Sequence, residues 1–203
     1  MRLIIVRHAQ TTLNRDGIIQ GVSSGDLTDK GKKQAELLAK RLMKEKVDVV
    51  YSSDYKRCKD TLNPFLKMKK VPVHFVEELR ERNYGIMDGK SGEEYDKWKQ
   101  DKDWTNFDFR MSGGESYNDV LKRVKKFLDV LLKKENGKTV LIMAHGGTKR
   151  AILMNLFEEK NRDYYKKTSG QISKNTAMTI IGLEKKGGWK ADSWYSVEHL
   201  EDL

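Results

Sequence analysis

Two apolar runs in this chain end in a histidine. Leu3–Val6 closes on Arg7-His8, and the run TVLIM (Thr139–Met143) closes on Ala144-His145-Gly146. Two other segments end near a charge: Arg57 follows VDVVYSS in what reads as the first turn of a helix, and Glu81 follows VHFVEEL. These residue types suit phosphoryl transfer. A neutral imidazole is a competent nucleophile near neutral pH, its reference pKa being about 6.5. Arginine offers paired donors to a phosphate dianion. The transition state spreads charge over equatorial oxygens, so fixed donors around it do most of the catalysis. A departing alkoxide needs a proton, which a carboxylic acid can supply. Arg7, His8, Arg57, Glu81 and His145 therefore form a candidate catalytic set.

For these residues to meet, the elements carrying them must share one edge of a sheet. Ligands of open α/β sheets bind beyond the carboxyl ends of the strands. The continuous branched apolar runs at Leu3–Val6, Val47–Tyr51 and Thr139–Met143 predict strands covered on both faces, and Val71–Val76 reads as another. Helical spacing of Ala35, Leu38, Ala39, Leu42 and Met43 predicts a helix over 28–45 with Thr28 as its cap. Ser116 with Asp119 predicts a capping box before the stripe Val120, Val124, Phe127, Leu128 and Leu131. Pro64 should kink or end the helix after SSDYKRCKDT. Ala177–Leu183 and Trp189–Val197 read as a terminal strand pair. The expected fold is α/β, with three layers and a mostly parallel central sheet flanked by helices. It forms a single domain over 1–203, and 86–114 makes an irregular excursion over the active site.

Composition narrows the function. A 203-residue chain with 34% charged residues suits one soluble domain. No apolar run is long enough for a membrane span, and MRLIIV is too short for a signal peptide. The single Cys58 precludes an internal disulfide and suits a reducing cytoplasm. The net charge of +10 fits an anionic substrate. The lysines are dispersed and read as a solvated surface, so no nucleic-acid partner is expected. No metal-ligand spacing such as CxxC or HExxH appears, so no metal is expected.

The segments VRHAQTTLN, SSDYKRCKDT, LRERNYG and AHGG, in that order, resemble the histidine phosphatase superfamily, in its phosphoglycerate-mutase-like branch. The resemblance spans nearly the whole chain. It implies that His8 becomes the phosphohistidine, and that Arg7, Arg57 and His145 bind the transferring phosphoryl group. It also implies that Glu81 protonates the leaving group and then activates water, and that Asn14 reaches the phosphate. Gln20, Gly21, Tyr84 and Gly146 are further substrate-contact candidates. The chain departs from the pattern in two places: Ala9 stands where the family usually has glycine, and QGVSSGDLT lacks the usual Asp-x-Pro before Leu-Thr.

Relatives that isomerise phosphoglycerate typically carry His-Gly-Asn-Ser at the last motif and a longer insertion before it. The HGGT here, and GGES at Gly113–Ser116, resemble the phosphatases. The expected function is hydrolysis of a small anionic phosphate ester without a cofactor. The alternatives are a mutase dependent on 2,3-bisphosphoglycerate, with lysines such as Lys90, Lys97 or Lys99 as a second anion site, and a non-catalytic phospho-ligand or protein-binding module. Trp98, Trp104, Phe107 and Phe109 either wall the substrate pocket or pack the excursion onto the body. His74, His199 and Cys58 read as structural.

Overall fold

The computed structural model describes residues 1–103, 106–157, 174–185, 187–201 and 203. Six strands form one sheet: β1 (Arg2–Arg7), β2 (Val49–Ser53), β3 (Val73–Val76), β4 (Thr139–Ala144), β5 (Met178–Leu183) and β6 (Trp189–Ser196). Their spatial order is β3-β2-β4-β1-β5-β6. The pairs β1–β4, β2–β4 and β2–β3 are parallel, while β5 runs antiparallel to both β1 and β6.

Alternation along β1 divides the core between the two faces. Ile4 and Val6 pack with Leu38 and Leu42 of α2 (Asp29–Leu42) and with Leu62 and Phe65 of α3 (Lys56–Met68). Leu3 and Ile5 face the opposite way, toward Val120, Val124 and Leu128 of α5 (Tyr117–Lys134) and Ala151–Leu153 of α6 (Gly146–Leu156). Helices on both faces explain why these strands read as unbroken apolar runs, and the result is a three-layer α/β fold. The caps form as the side chains predict. Thr28 Oγ1 accepts from Gly31 N at 2.9 Å, and Ser116 and Asp119 cap reciprocally.

Two expectations need correction. The helix carrying Arg57 does not end at Pro64 but runs through it to Met68. Leu62 and Phe65 are buried on either side of the proline, so the continuous apolar face outweighs the one backbone bond it removes. The strand expected over Val71–Val76 starts only at Val73. Pro72, which has no N–H to give a ladder, instead accepts from Val50 N at 2.9 Å. Two further short helices, α1 (Thr12–Arg15) and α4 (Gly92–Lys99), lie in the connections. Among the described residues, no helix is long and apolar enough to cross a membrane.

Candidate active site

Strand register brings the two histidines side by side. Arg7 pairs with Ala144 across the parallel β1–β4 ladder, and His8 N donates to Ala144 O at 3.0 Å. His8 and His145 therefore leave neighbouring strands at the same edge, with ring centroids 5.2 Å apart. Strand β2 is the other neighbour of β4 and ends at Ser53, so α3 starts beside them and delivers Arg57 from its first turn.

Hydrogen bonding gives His8 one free nitrogen. Its Nδ1 lies 2.8 Å from Ala9 O, an acceptor, so Nδ1 carries the proton and Nε2 keeps its lone pair. Burial, then the charges of Arg7 and Arg57, hold His8 well below the ordinary histidine value. The ring is neutral at pH 7, as a nucleophile must be. Ala9 sits beside it without obstructing the site: its methyl packs with Leu27 and Ala35, and its N–H donates to Thr61 Oγ1 at 2.9 Å.

A cavity of about 220 Å³ opens over His8. Of the residues singled out in the sequence, Arg7, His8, Asn14, Gln20, Glu81, Tyr84 and Gly146 line it. Arg57, His145 and Gly21 do not; all three are buried. Arg57 Nε donates to His145 Nδ1 at 3.0 Å, and its Nη1 and Nη2 donate to Ser23 O and Gly21 O. With Nδ1 accepting, His145 carries its proton on Nε2 and donates to Ser53 Oγ at 2.8 Å. Burial, then Arg57, holds His145 well below its ordinary value too. Cys58 Sγ lies 3.6 Å from His145 Nε2, but burial pushes the thiol up to about 12, so it stays protonated and inert.

Two neutral buried histidines make stability depend on pH. In the unfolded chain each takes up a proton below about pH 6.5, whereas in the folded chain each resists it. Their contribution is therefore complete above that value and lost as pH falls below it, by up to about 1.4 kcal/mol per pH unit for each histidine. Urea midpoints should be level from pH 7 to 8 and fall steeply from pH 6.5 to 5. A flat profile across that window would contradict neutral burial.

Glu81 is held by the start of α6. Gly147 N donates to Oε2 at 2.9 Å, and Thr148 N and Arg82 N donate to Oε1 at 3.2 and 2.9 Å. Helix N-termini favour such anions because their first N–H groups have no intrahelical partner. Gly146 opens the same helix and faces the cavity, so its backbone is placed to meet a phosphate oxygen.

Several residues at the site escaped the sequence reading. Arg82 and Arg150 line the cavity, as do Ile18, Ile19 and Tyr117. Asn175 Nδ2 donates to His8 O at 3.0 Å and to Asn14 Oδ1 at 3.2 Å, fixing the Asn14 amide so that its NH₂ points toward Gln20 Oε1. The neighbouring Thr176 has φ +55°, a strained conformation of the kind that clusters at functional sites. Asp88 accepts from the N–H groups of Gly21, Val22 and Ser23, which shows how this loop is held without the Asp-x-Pro. The excursion's aromatics pack on one another: Trp98 on Tyr95 and Phe109, and Phe107 on Tyr117. Of that region's rings, Tyr117 just beyond it reaches the cavity; Trp98, Phe107 and Phe109 do not. Trp104 lies outside the described residues. Lys90, Lys97 and Lys99 do not line the cavity.

Comparison with known proteins agrees with this geometry. The family described as the histidine phosphatase superfamily (branch 1) matches residues 3–196. The metal-independent phosphoserine phosphatase of Arabidopsis thaliana is 34% identical, over 99% of this chain and 84% of its own. The phosphoglycerate mutase-like protein 4 of the same plant is 31% identical, over 98% and 87%. A crystal structure of phosphoserine phosphatase from Entamoeba histolytica, in complex with 3-phosphoglyceric acid, superposes with a TM-score of 0.82 at 26% identity, covering 98% of each chain. This chain belongs to the histidine phosphatase superfamily.

Proposed function

We propose that this histidine phosphatase hydrolyses small phosphate monoesters that also carry a carboxylate, through a phosphohistidine on His8. One observation carries the reading: two arginines of the cavity wall, Arg7 and Arg82, stand within ion-pair distance of no carboxylate among the described residues. Arg7 Nε is buried without a hydrogen-bond partner. Arg82 is only 8% exposed and has no carboxylate within ion-pair distance among the described residues. Its Nε and Nη2 are fixed on Glu115 O and Phe109 O, which leaves Nη1 for a ligand. An unpaired buried charge is costly, so an anionic ligand is what these arginines complement. Arg7 stands beside the nucleophile and takes the phosphate, and Arg82 takes a second anionic group. The relatives named for phosphoserine, and solved with 3-phosphoglyceric acid, act on or bind molecules of that class.

The steps balance on this chain's own groups. His8 Nε2 attacks phosphorus, the ester P–O bond breaks, and Glu81, which enters this step protonated, gives its proton to the departing alkoxide. Water then attacks the phosphohistidine and Glu81 takes a proton from it, which releases phosphate and restores His8. The arginines and the α6 N-terminus supply the positive charge, and we propose that the reaction needs no metal. Among the described residues, no group of three histidine, cysteine or acidic side chains is placed to hold one.

The same geometry argues against isomerisation. A mutase must hold a second phosphate, and the three successive N–H groups of Gly21–Ser23 would suit one, but the Asp88 carboxylate already occupies them. Phosphorus NMR of 3-phosphoglycerate with enzyme, catalytic 2,3-bisphosphoglycerate and EDTA should show inorganic phosphate alone. Equilibration with 2-phosphoglycerate would overturn the reading. Phosphoserine should be preferred over phosphoethanolamine by about tenfold or more in kcat/KM, since a hydrogen bond to a charged group contributes about 1.5–3 kcal/mol. Arg82→Gln should abolish that preference by raising KM for phosphoserine.

A further inference from the structure

Gly147 is the second residue of α6, and it stands where the Glu81 carboxylate arrives. A Cβ placed on Gly147 would lie 2.5 Å from Glu81 Oε1 and 3.3 Å from its Cδ. Atoms in folded proteins do not approach that closely. The glycine is not needed for its backbone, because its φ lies outside the left-handed region. The space left by its missing side chain is filled by a carboxylate, which accepts from Gly147 N at 2.9 Å and Thr148 N at 3.2 Å.

We infer that Gly147 is a positioning residue for Glu81: its missing side chain lets the carboxylate dock on the α6 N-terminus and so fixes the proton donor over His8. This rests on the reading of Glu81 as that donor. A residue with a Cβ at this position would force the carboxylate off one or both N–H groups and away from the leaving group. Little else would have to move, since all three nearest atoms to the added Cβ belong to the end of the Glu81 side chain. Alanine also suits a helix better than glycine does. Gly147→Ala should therefore keep the fold while misplacing the acid.

The experiment measures kcat/KM, which reports steps up to departure of the leaving group, on an alkyl phosphate and on p-nitrophenyl phosphate. Gly147→Ala should melt at the parent temperature or above. It should lose about 10²-fold on the alkyl ester, the scale of an ångström-level misplacement, and less than about fivefold on the nitrophenyl ester, whose leaving group needs no proton. In a Glu81→Gln background, Gly147→Ala should change neither substrate further, because the two act as one unit. Parent-like activity on the alkyl ester, equal losses on both esters, or losses that multiply in the double variant would each overturn the inference. An insoluble Gly147→Ala would overturn it as well, by showing that more than Glu81 must yield. Glu81→Gln alone separates the two levels. If it loses equally on both esters, the donor reading fails and takes this inference with it; if it discriminates while Gly147→Ala does not, only the role of Gly147 fails.

Discussion

His8→Ala should abolish the phosphoenzyme and reduce turnover by at least about 10³-fold, as expected when a covalent nucleophile is removed. The parent protein, mixed with labelled substrate and quenched in alkali, should retain about one labelled phosphoryl group per chain, lost again on mild acid treatment as a phosphoramidate is. His8→Ala should retain none. The expectation follows from a single hydrogen bond: with Nδ1 engaged by Ala9 O, only Nε2 can attack, and burial, then the charges of Arg7 and Arg57, keeps it unprotonated. A binding module that had kept the pocket and lost turnover would show no label in either protein, and that result would refute the proposal. A His8→Ala variant that still hydrolyses near the parent rate would refute it from the other side.

The sequence showed most of what depends on residue type and local order. Leu3–Val6 and Thr139–Met143 announce buried strands because helices cover both of their faces, and the charged residues that end them stand out against that background. Thr28 and Ser116 are legible as caps because capping needs only neighbours within one turn. What stayed hidden depends on contacts between distant segments. Arg82 lies inside the quoted LRERNYG, yet a lone arginine reads as surface until its burial and lack of an acid partner are seen. Asn175 carries no charge, and its role depends on being next to His8 O and Asn14, 167 and 161 residues away. Asp88 reads as a loop residue until Gly21–Ser23 wraps its carboxylate. Pro64 does not end the helix, because Leu62 and Phe65 hold the face together across the one bond it removes. That Arg57 and His145 bond to each other and leave the cavity wall to their neighbours was equally out of reach, since burial within a site leaves no mark on spacing.

Glu81 serves both halves of the proposed reaction, so Glu81→Gln should separate them. The amide keeps the shape but gives no proton to the alkoxide and takes none from water. On an alkyl phosphate the first half stalls, and kcat/KM should fall by about 10²–10⁴, the usual contribution of a general acid. On p-nitrophenyl phosphate the first half survives, because nitrophenolate leaves as a stable anion. The second half does not survive, because no base activates water against the phosphohistidine. Rapid mixing should then show a burst of about one nitrophenolate per chain, followed by a slow steady state, with the label held on His8. A glutamate that merely closes the α6 N-terminus through Gly147 and Thr148 would give neither effect: its loss would weaken the fold, lower both substrates alike and leave no burst. The burst is thus the sign that one carboxylate, held in one place, first gives a proton to the leaving group and then takes one from water.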